Sequence, residues 1–187
     1  LFLYNSAFKK RKCLFRILLL LSVGKLLCAD VSKKQLEVLQ TVRDVARTIS
    51  DNQGETYENT LSAICLTESS GGVHILGDVK KGTDITKASL GALQIQLATA
   101  KHIAKLTPSL NHLLKLSDTK LATLLLTDVK TSTKIAAHLL VRLKHSRKKY
   151  FNMVSGYNGG YSNAPYYKRV KKNLNLVYKL VKKNLLQ

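Results

Sequence analysis

Proline is nearly absent from this chain, with two in 187 residues, and no Pro-, Gly- or Ser-rich stretch divides one part from another. Without such a linker a second domain is not expected, and a hydrophobic content of 45% is enough for one sizeable core, so disorder is not the default reading. Cysteine is almost as scarce. Of three, Cys13 and Cys28 fall in the first 29 residues, so the rest of the chain holds only Cys65. No internal disulfide can form there and no zinc pattern exists. Cys65 sits in an apolar run and reads as a small core residue, not a nucleophile. The five histidines, His74, His102, His112, His138 and His145, lack a metal-ligand spacing, so neither a metal nor a cofactor is expected. The apolar run Ile17 to Gly24 falls well short of the ~20 residues that span a bilayer. Acidic residues are the last scarcity. There are 11 against 31 Lys and Arg, and none after Asp128, while the basic residues continue to Lys183. The net charge of +20 favours a polyanionic partner at long range. Charge alone leaves nucleic acid, anionic lipid and an acidic cell-wall polymer open, alongside simple solubility.

Residues 1–29 differ from the rest. Lys9, Lys10, Arg11, Lys12, Arg16 and Lys25 accompany no acid, and all but Lys25 precede that short apolar run. The order suits a secretory signal peptide, with cleavage after Ala29 in "LLCAD". Lipidation at Cys28 and an uncleaved amphipathic anchor remain open. Residues 30–187 are then expected to form one exported domain in the periplasm or cell envelope.

In that domain the apolar periodicity is helical. Leu36, Leu39, Val42, Val45, Ala46 and Ile49 return every three or four positions, Ser32 and Gln35 have capping-box spacing, and "DNQG" (Asp51 to Gly54) supplies a stop. A second helix is predicted over Tyr57 to Glu68, followed by a long loop, Ser69 to Ser89, with no sustained period. Helical spacing resumes at Leu97, Ala100, Ile103 and Ala104 and ends near Pro108. Ser117 reads as the N-cap for Leu121 to Leu126, Lys130 to His145 contains an amphipathic helix, and Tyr150 to Ser155 is a short piece. Asn163 with Pro165 starts a last helix running to about Leu185, cationic on its exposed face. Nothing repeats and strand-like alternation is almost absent. The prediction is a mainly α domain of about seven short helices with little or no sheet.

The stretch "AICLTESSGG", Ala63 to Gly72, carries an apolar run straight into Glu68. Desolvation disfavours the charged form of a carboxyl, so an acid at an apolar helix end facing a cleft can hold a proton to donate. Cleavage of a glycosidic bond needs such a donor. Glu68 is followed in order by "GALQIQLATAK" (Gly91 to Lys101), "SGYNGG" (Ser155 to Gly160) and "YYKRV" (Tyr166 to Val170). With "ESSGG" (Glu68 to Gly72), these four motifs resemble the soluble lytic transglycosylase (SLT) family, glycoside hydrolase family twenty-three, over roughly Thr60 to Val170.

That resemblance implies a lysozyme-like fold and action on peptidoglycan glycan strands, between N-acetylmuramic acid and N-acetylglucosamine. By it, Glu68 matches the catalytic acid/base, Gln94 the cleft glutamine, and Tyr157 and Asn158 the closing turn. Gln96 stands where a cleft methionine usually lies. Gly156 and Gly159 replace alanines, on the reading that the turn requires only small residues. The implied reaction is nonhydrolytic: the muramic acid's own 6-hydroxyl attacks its anomeric carbon and leaves a 1,6-anhydro end. A single carboxylate then suffices, whereas ordinary glycosidases pair two. Asp78 and Asp84 would supply the second acid of the rival reading, a goose-type lysozyme-like hydrolase using water. A noncatalytic basic binder of an anionic polymer or membrane is the third reading. It rests only on the cationic last helix, without a nucleic-acid motif, so no nucleic-acid partner is expected. Recruitment by secretion, conjugation or other envelope machinery, and peripheral contact with anionic membrane, stay open. Tyr161, Tyr166 and Tyr167 read as packing for the last helix or as a saccharide subsite.

Overall fold

Residues 31–77 and 84–187 are described by the computed structural model; the expected leader and Asp78 lie outside them. Helix α1, Lys33–Ala46, forms where the apolar spacing predicts it and buries Leu39, Val42 and Ala46. It stops at a turn in which the Asp51 carboxylate accepts from the Gln53 and Glu55 amides at 2.9 and 3.0 Å. Gly54 supplies the left-handed residue there, at φ +79°.

Helix α2, Glu58–Ser69, is the centre of the molecule. Leu61, Ala63, Ile64 and Cys65 are all fully buried, with Thr60 and Ser62 buried beside them. Such a helix has no solvent face; it must be wrapped by others. Its end is a left-handed cap: Ser70 at φ 54°, its amide donating to the Leu66 carbonyl at 3.2 Å and that of Gly71 to Cys65 at 3.1 Å.

Within the stretch 69–89, expected to be a long loop, the described residues hold short regular elements. Strand β1, Leu76–Gly77, pairs antiparallel with β2, Ser89–Leu90, in the register Leu76 opposite Leu90. Between them a 3-10 turn, Ile85–Lys87, is capped by the Asp84 carboxylate, which accepts from the Thr86 amide at 2.9 Å. Two-residue strands are too short to show alternation, which is why periodicity missed them.

Five more helices follow, of which the last packs along α2. They are α3 (Leu97–Leu106), α4 (Asp118–Thr127), α5 (Val129–Arg147), α6 (Tyr150–Tyr157) and α7 (Ala164–Lys182). The expected caps form: Ser117 accepts from the Lys120 amide and Asn163 from that of Tyr166. A 3-10 segment, Pro108–Lys115, lies between α3 and α4, where the sequence shows only the end of a helix. With seven α-helices and one two-stranded ladder among the described residues, the domain is mainly α, as expected. From Lys34 onward it is one unit.

Gly91 joins β2 to α3 at φ +74°, where an added Cβ would lie 2.0 Å from the Leu125 carbonyl oxygen. Backbone cannot move aside as a side chain can. Gly91→Ala should therefore lower the unfolding free energy by about 3 kcal/mol or more. Gly54→Ala, in an equally left-handed position with nothing within 4 Å, should cost about 1 kcal/mol. Thermal denaturation of the two variants checks the difference; equal losses would refute the steric reading.

Candidate active site

Helix α2 delivers Glu68 to the surface in its last turn, where the side chain is half-buried. The next residue, Ser69, is buried and acts as a clasp. Its hydroxyl lies 2.6 Å from the Ala92 carbonyl and accepts from the Gly72 amide at 2.7 Å, so the end of α2 is bound to the turn 91–95. The Tyr157 hydroxyl, from the end of α6, donates to the Leu93 carbonyl in the same turn at 2.9 Å. Three segments far apart in sequence thereby share one corner.

Helix α7 completes it. Tyr166, in its first turn and 1% exposed, donates its hydroxyl to Glu68 Oε1 at 2.5 Å. One residue earlier on α2, Thr67 Oγ1 accepts from Asn173 Nδ2 at 2.9 Å, which holds α7 along α2. Asn163 caps α7 through the Tyr166 amide at 3.0 Å, and its Nδ2 donates to Asn158 Oδ1 at 3.0 Å. The turn after α6 thus sets where α7 begins, and so where Tyr166 stands.

The electrostatics follow from this packing. Burial drives the Tyr166 hydroxyl far above its ordinary value of 10, and the charge of Glu68 and the hydrogen bond to it push the same way. Tyr157 is raised by burial first and by Glu68 second. Both remain neutral donors across the biological range. Burial likewise pushes the Cys65 thiol up to about 12, so it is an inert core residue and not a nucleophile. Asp84, fully exposed, is held below its ordinary value by its bonds from Thr86; it serves its own turn.

Of the residues singled out from the sequence, Glu68, Tyr157 and the turn carrying Gln94 come together. Gln94 is left-handed, at φ 49°, and its Nε2 donates to the Gly91 carbonyl at 2.9 Å and that of His74 at 3.2 Å. Its Oε1 lies so close to Gly77 that a Cβ there would meet it at 2.0 Å. Gln94 therefore fastens the turn to β1. Gln96 is exposed at the N-cap position of α3, with no side-chain cap bond. Asn158 is exposed and engaged by Asn163. The expectation that the closing turn requires only small residues needs correction at Gly159. Its φ of +87° asks for glycine even though nothing lies within 4 Å. Gly156 fits the expectation: an added Cβ would meet only the tip of Leu143, at 2.7 Å.

Two residues of this corner escape sequence reasoning. Ser69 is visible there only as the partner of Glu68 in a motif. Tyr166 reads as packing or a saccharide subsite, although the Asn163 cap and Pro165 already place it in a first helical turn beside the closing motif. Tyr167 does pack, edge-on to Phe151 with centroids 5.0 Å apart. Tyr161 is exposed, with the Arg147 guanidinium 4.6 Å from its ring centre. No group of three or more His, Cys, Asp or Glu among the described residues could hold a metal ion.

At this corner a buried helix surfaces at a carboxylate, is met by a tyrosine from a further helix and is faced by a tight turn. The profile of the Transglycosylase SLT domain matches residues 48–178, and the chain belongs to that family. It is accordingly a lytic-transglycosylase-type protein whose substrate class is peptidoglycan. No curated protein and no solved structure matches it.

The raised tyrosines tie stability to alkaline pH. A hydroxyl whose native pKa lies above its unfolded value stabilises the fold fully below about pH 10. That contribution is lost as pH rises toward the native value. The melting temperature should fall steeply above pH 10, and less steeply in Tyr166→Phe, which has no proton there to lose. Parallel melting curves from pH 8 to 12 test this; identical slopes would refute it.

Proposed function

We propose that this protein cleaves the bond between N-acetylmuramic acid and N-acetylglucosamine without water, with Glu68 as the sole general acid/base. The observation that carries the reading is the Tyr166–Glu68 hydrogen bond at the end of α2. Because Tyr166 stays a neutral donor, it occupies Oε1 in both protonation states of the carboxyl, and the exchangeable proton rides on Oε2. In the first step Oε2 gives its proton to the glycosidic oxygen as the bond to the anomeric carbon breaks, the electron pair leaving with that oxygen. In the second the muramic acid 6-hydroxyl oxygen bonds to the anomeric carbon and its proton returns to Oε2. Nothing is consumed, and the acid is regenerated.

A carboxyl held on one oxygen is an oriented one, and orientation contributes much of what a positioned acid can offer. The engagement of Asp84 by Thr86 in its own cap supports a single-acid mechanism. Gln94 and Gln96 are proposed sugar contacts on the wall formed by the turn 91–95 and the start of α3, with Tyr157 and Asn158 on the closing side. The protein would act in the cell envelope, reached through the leader expected over residues 1–29.

Mass spectrometry of purified sacculi digested with the protein tests the reading directly: 1,6-anhydro ends are expected, and reducing ends would show that water is the nucleophile instead. Glu68→Gln should lower the rate by roughly 10²- to 10⁴-fold. Tyr166→Phe should cost about tenfold to a hundredfold with the fold kept. Parent-rate clearing by Glu68→Gln would remove Glu68 from the role.

A further inference from the structure

The mechanism uses only the first turn of α7, yet the helix runs on for four more. Its inner face is spent on packing: Val170, Leu174, Val177 and Leu180 are at most 5% exposed. The outer face carries Lys168, Lys171, Lys172, Lys179 and Lys182, all exposed. Lys168, Lys172, Lys179 and Lys182, with the neutral Asn175 between the second and third, advance by four and three in turn, which keeps them in one stripe, about 21 Å long at 1.5 Å per residue. Ion pairs among the described residues lie elsewhere: Arg47 with Asp44 and Glu58, Lys101 with Asp118, Lys144 with Glu55. No carboxylate side chain occurs on this helix, or anywhere after Asp128. Like charges at helical spacing repel each other, so this stripe costs stability and gives none back through the ion pairs among the described residues.

The stripe is also anchored to the site. Arg169 lies on the flank of the helix between the stripe and the face that bears Tyr166, with its guanidinium 5.7 Å from the ring centre of Tyr166, the residue that holds Glu68. Arg169, separated from Glu68 only by the Tyr166 side chain, therefore connects the site to the cations on the outer face of the same helix. Resting on the function proposed above, we infer that the α7 stripe is an extended subsite for the peptide stems of peptidoglycan, whose carboxylates flank the glycan bond being cut. The occupant is an anionic polymer and not a lipid surface. A helix that lies in a membrane inserts its apolar face, and that of α7 is already buried against α2. The outer face offers one large aromatic, Tyr178, 52% exposed. Attraction of this kind concentrates a charged substrate at the site and fades once salt shortens the screening length to a few ångströms.

The full-length protein and its Lys168→Gln/Lys171→Gln/Lys172→Gln/Lys179→Gln variant decide the matter. Glutamine keeps helix propensity, and a matched melting temperature confirms an intact fold. Binding to purified sacculi should weaken at least tenfold in the variant at low salt and lose most of its salt dependence. Cleavage of peptide-free glycan strands with amidated carboxyls should be unchanged. Equal sacculus binding with the same salt dependence overturns the proposal. So does a variant that loses binding to vesicles of anionic phospholipid while keeping its hold on sacculi, which would make the stripe a membrane contact. Equal slowing of the variant on amidated strands overturns it as well, because charge recognition could not explain that loss. If neither protein cleaves either substrate, the catalytic proposal fails, and the binding comparison still judges the stripe.

Discussion

A helix with no solvent face is the constraint on which this structure depends. Helix α2 buries residues on every side from Thr60 to Cys65, so other helices must enclose it. Burying each large apolar side chain is worth about 1.5 to 3 kcal/mol, and that return is available only if the enclosure is complete. Beyond Cys65, the first place where α2 can present a charged group is its last turn. Glu68 stands there because the wrapping stops there, at a left-handed cap that turns the chain away.

From that point the polar contacts form a closed set of supports. Ser69 binds the turn 91–95, Tyr157 reaches the same turn from the end of α6, and Tyr166 reaches Glu68 itself from α7. Each joins backbone or carboxylate to a side chain on a different element, so none can shift without loosening the rest. Asn158 and Gln94 belong to this frame: one steadies the Asn163 cap of α7, the other ties the turn to His74, just ahead of β1. An orienting role and contact with a sugar are compatible, since an amide has more than one donor and acceptor.

Much of this was legible in the chain. Helix α1 appears as Leu39, Val42 and Ala46 at helical spacing, α4 as a serine before Leu121, and α7 as Asn163 and Pro165 ahead of a strongly amphipathic run. Those signals are local, arising from a turn of helix and its cap, and they survive without knowledge of what packs where. Strands β1 and β2 were not legible, because two residues carry no period and their pairing joins positions more than ten apart. The 3-10 segment Pro108–Lys115 was hidden for a related reason: its tighter turn breaks the spacing that marks an α-helix. The importance of Tyr166 was hidden because a tyrosine in a first turn has several uses, and only its neighbours choose among them.

The amino-acid order by itself determined that the domain is mainly helical, that its acids thin out and vanish toward the end, and that a carboxylate terminates its most apolar helix. Those are properties of spacing and composition, present in any conformation of the chain. Tertiary structure alone decided that a tyrosine 98 residues away would donate to that carboxylate, and that Arg169 would stand beside that tyrosine's ring. Hydrogen bonds across such separations exist only after burial has fixed the helices against one another, because an unfolded chain would satisfy the same groups with water.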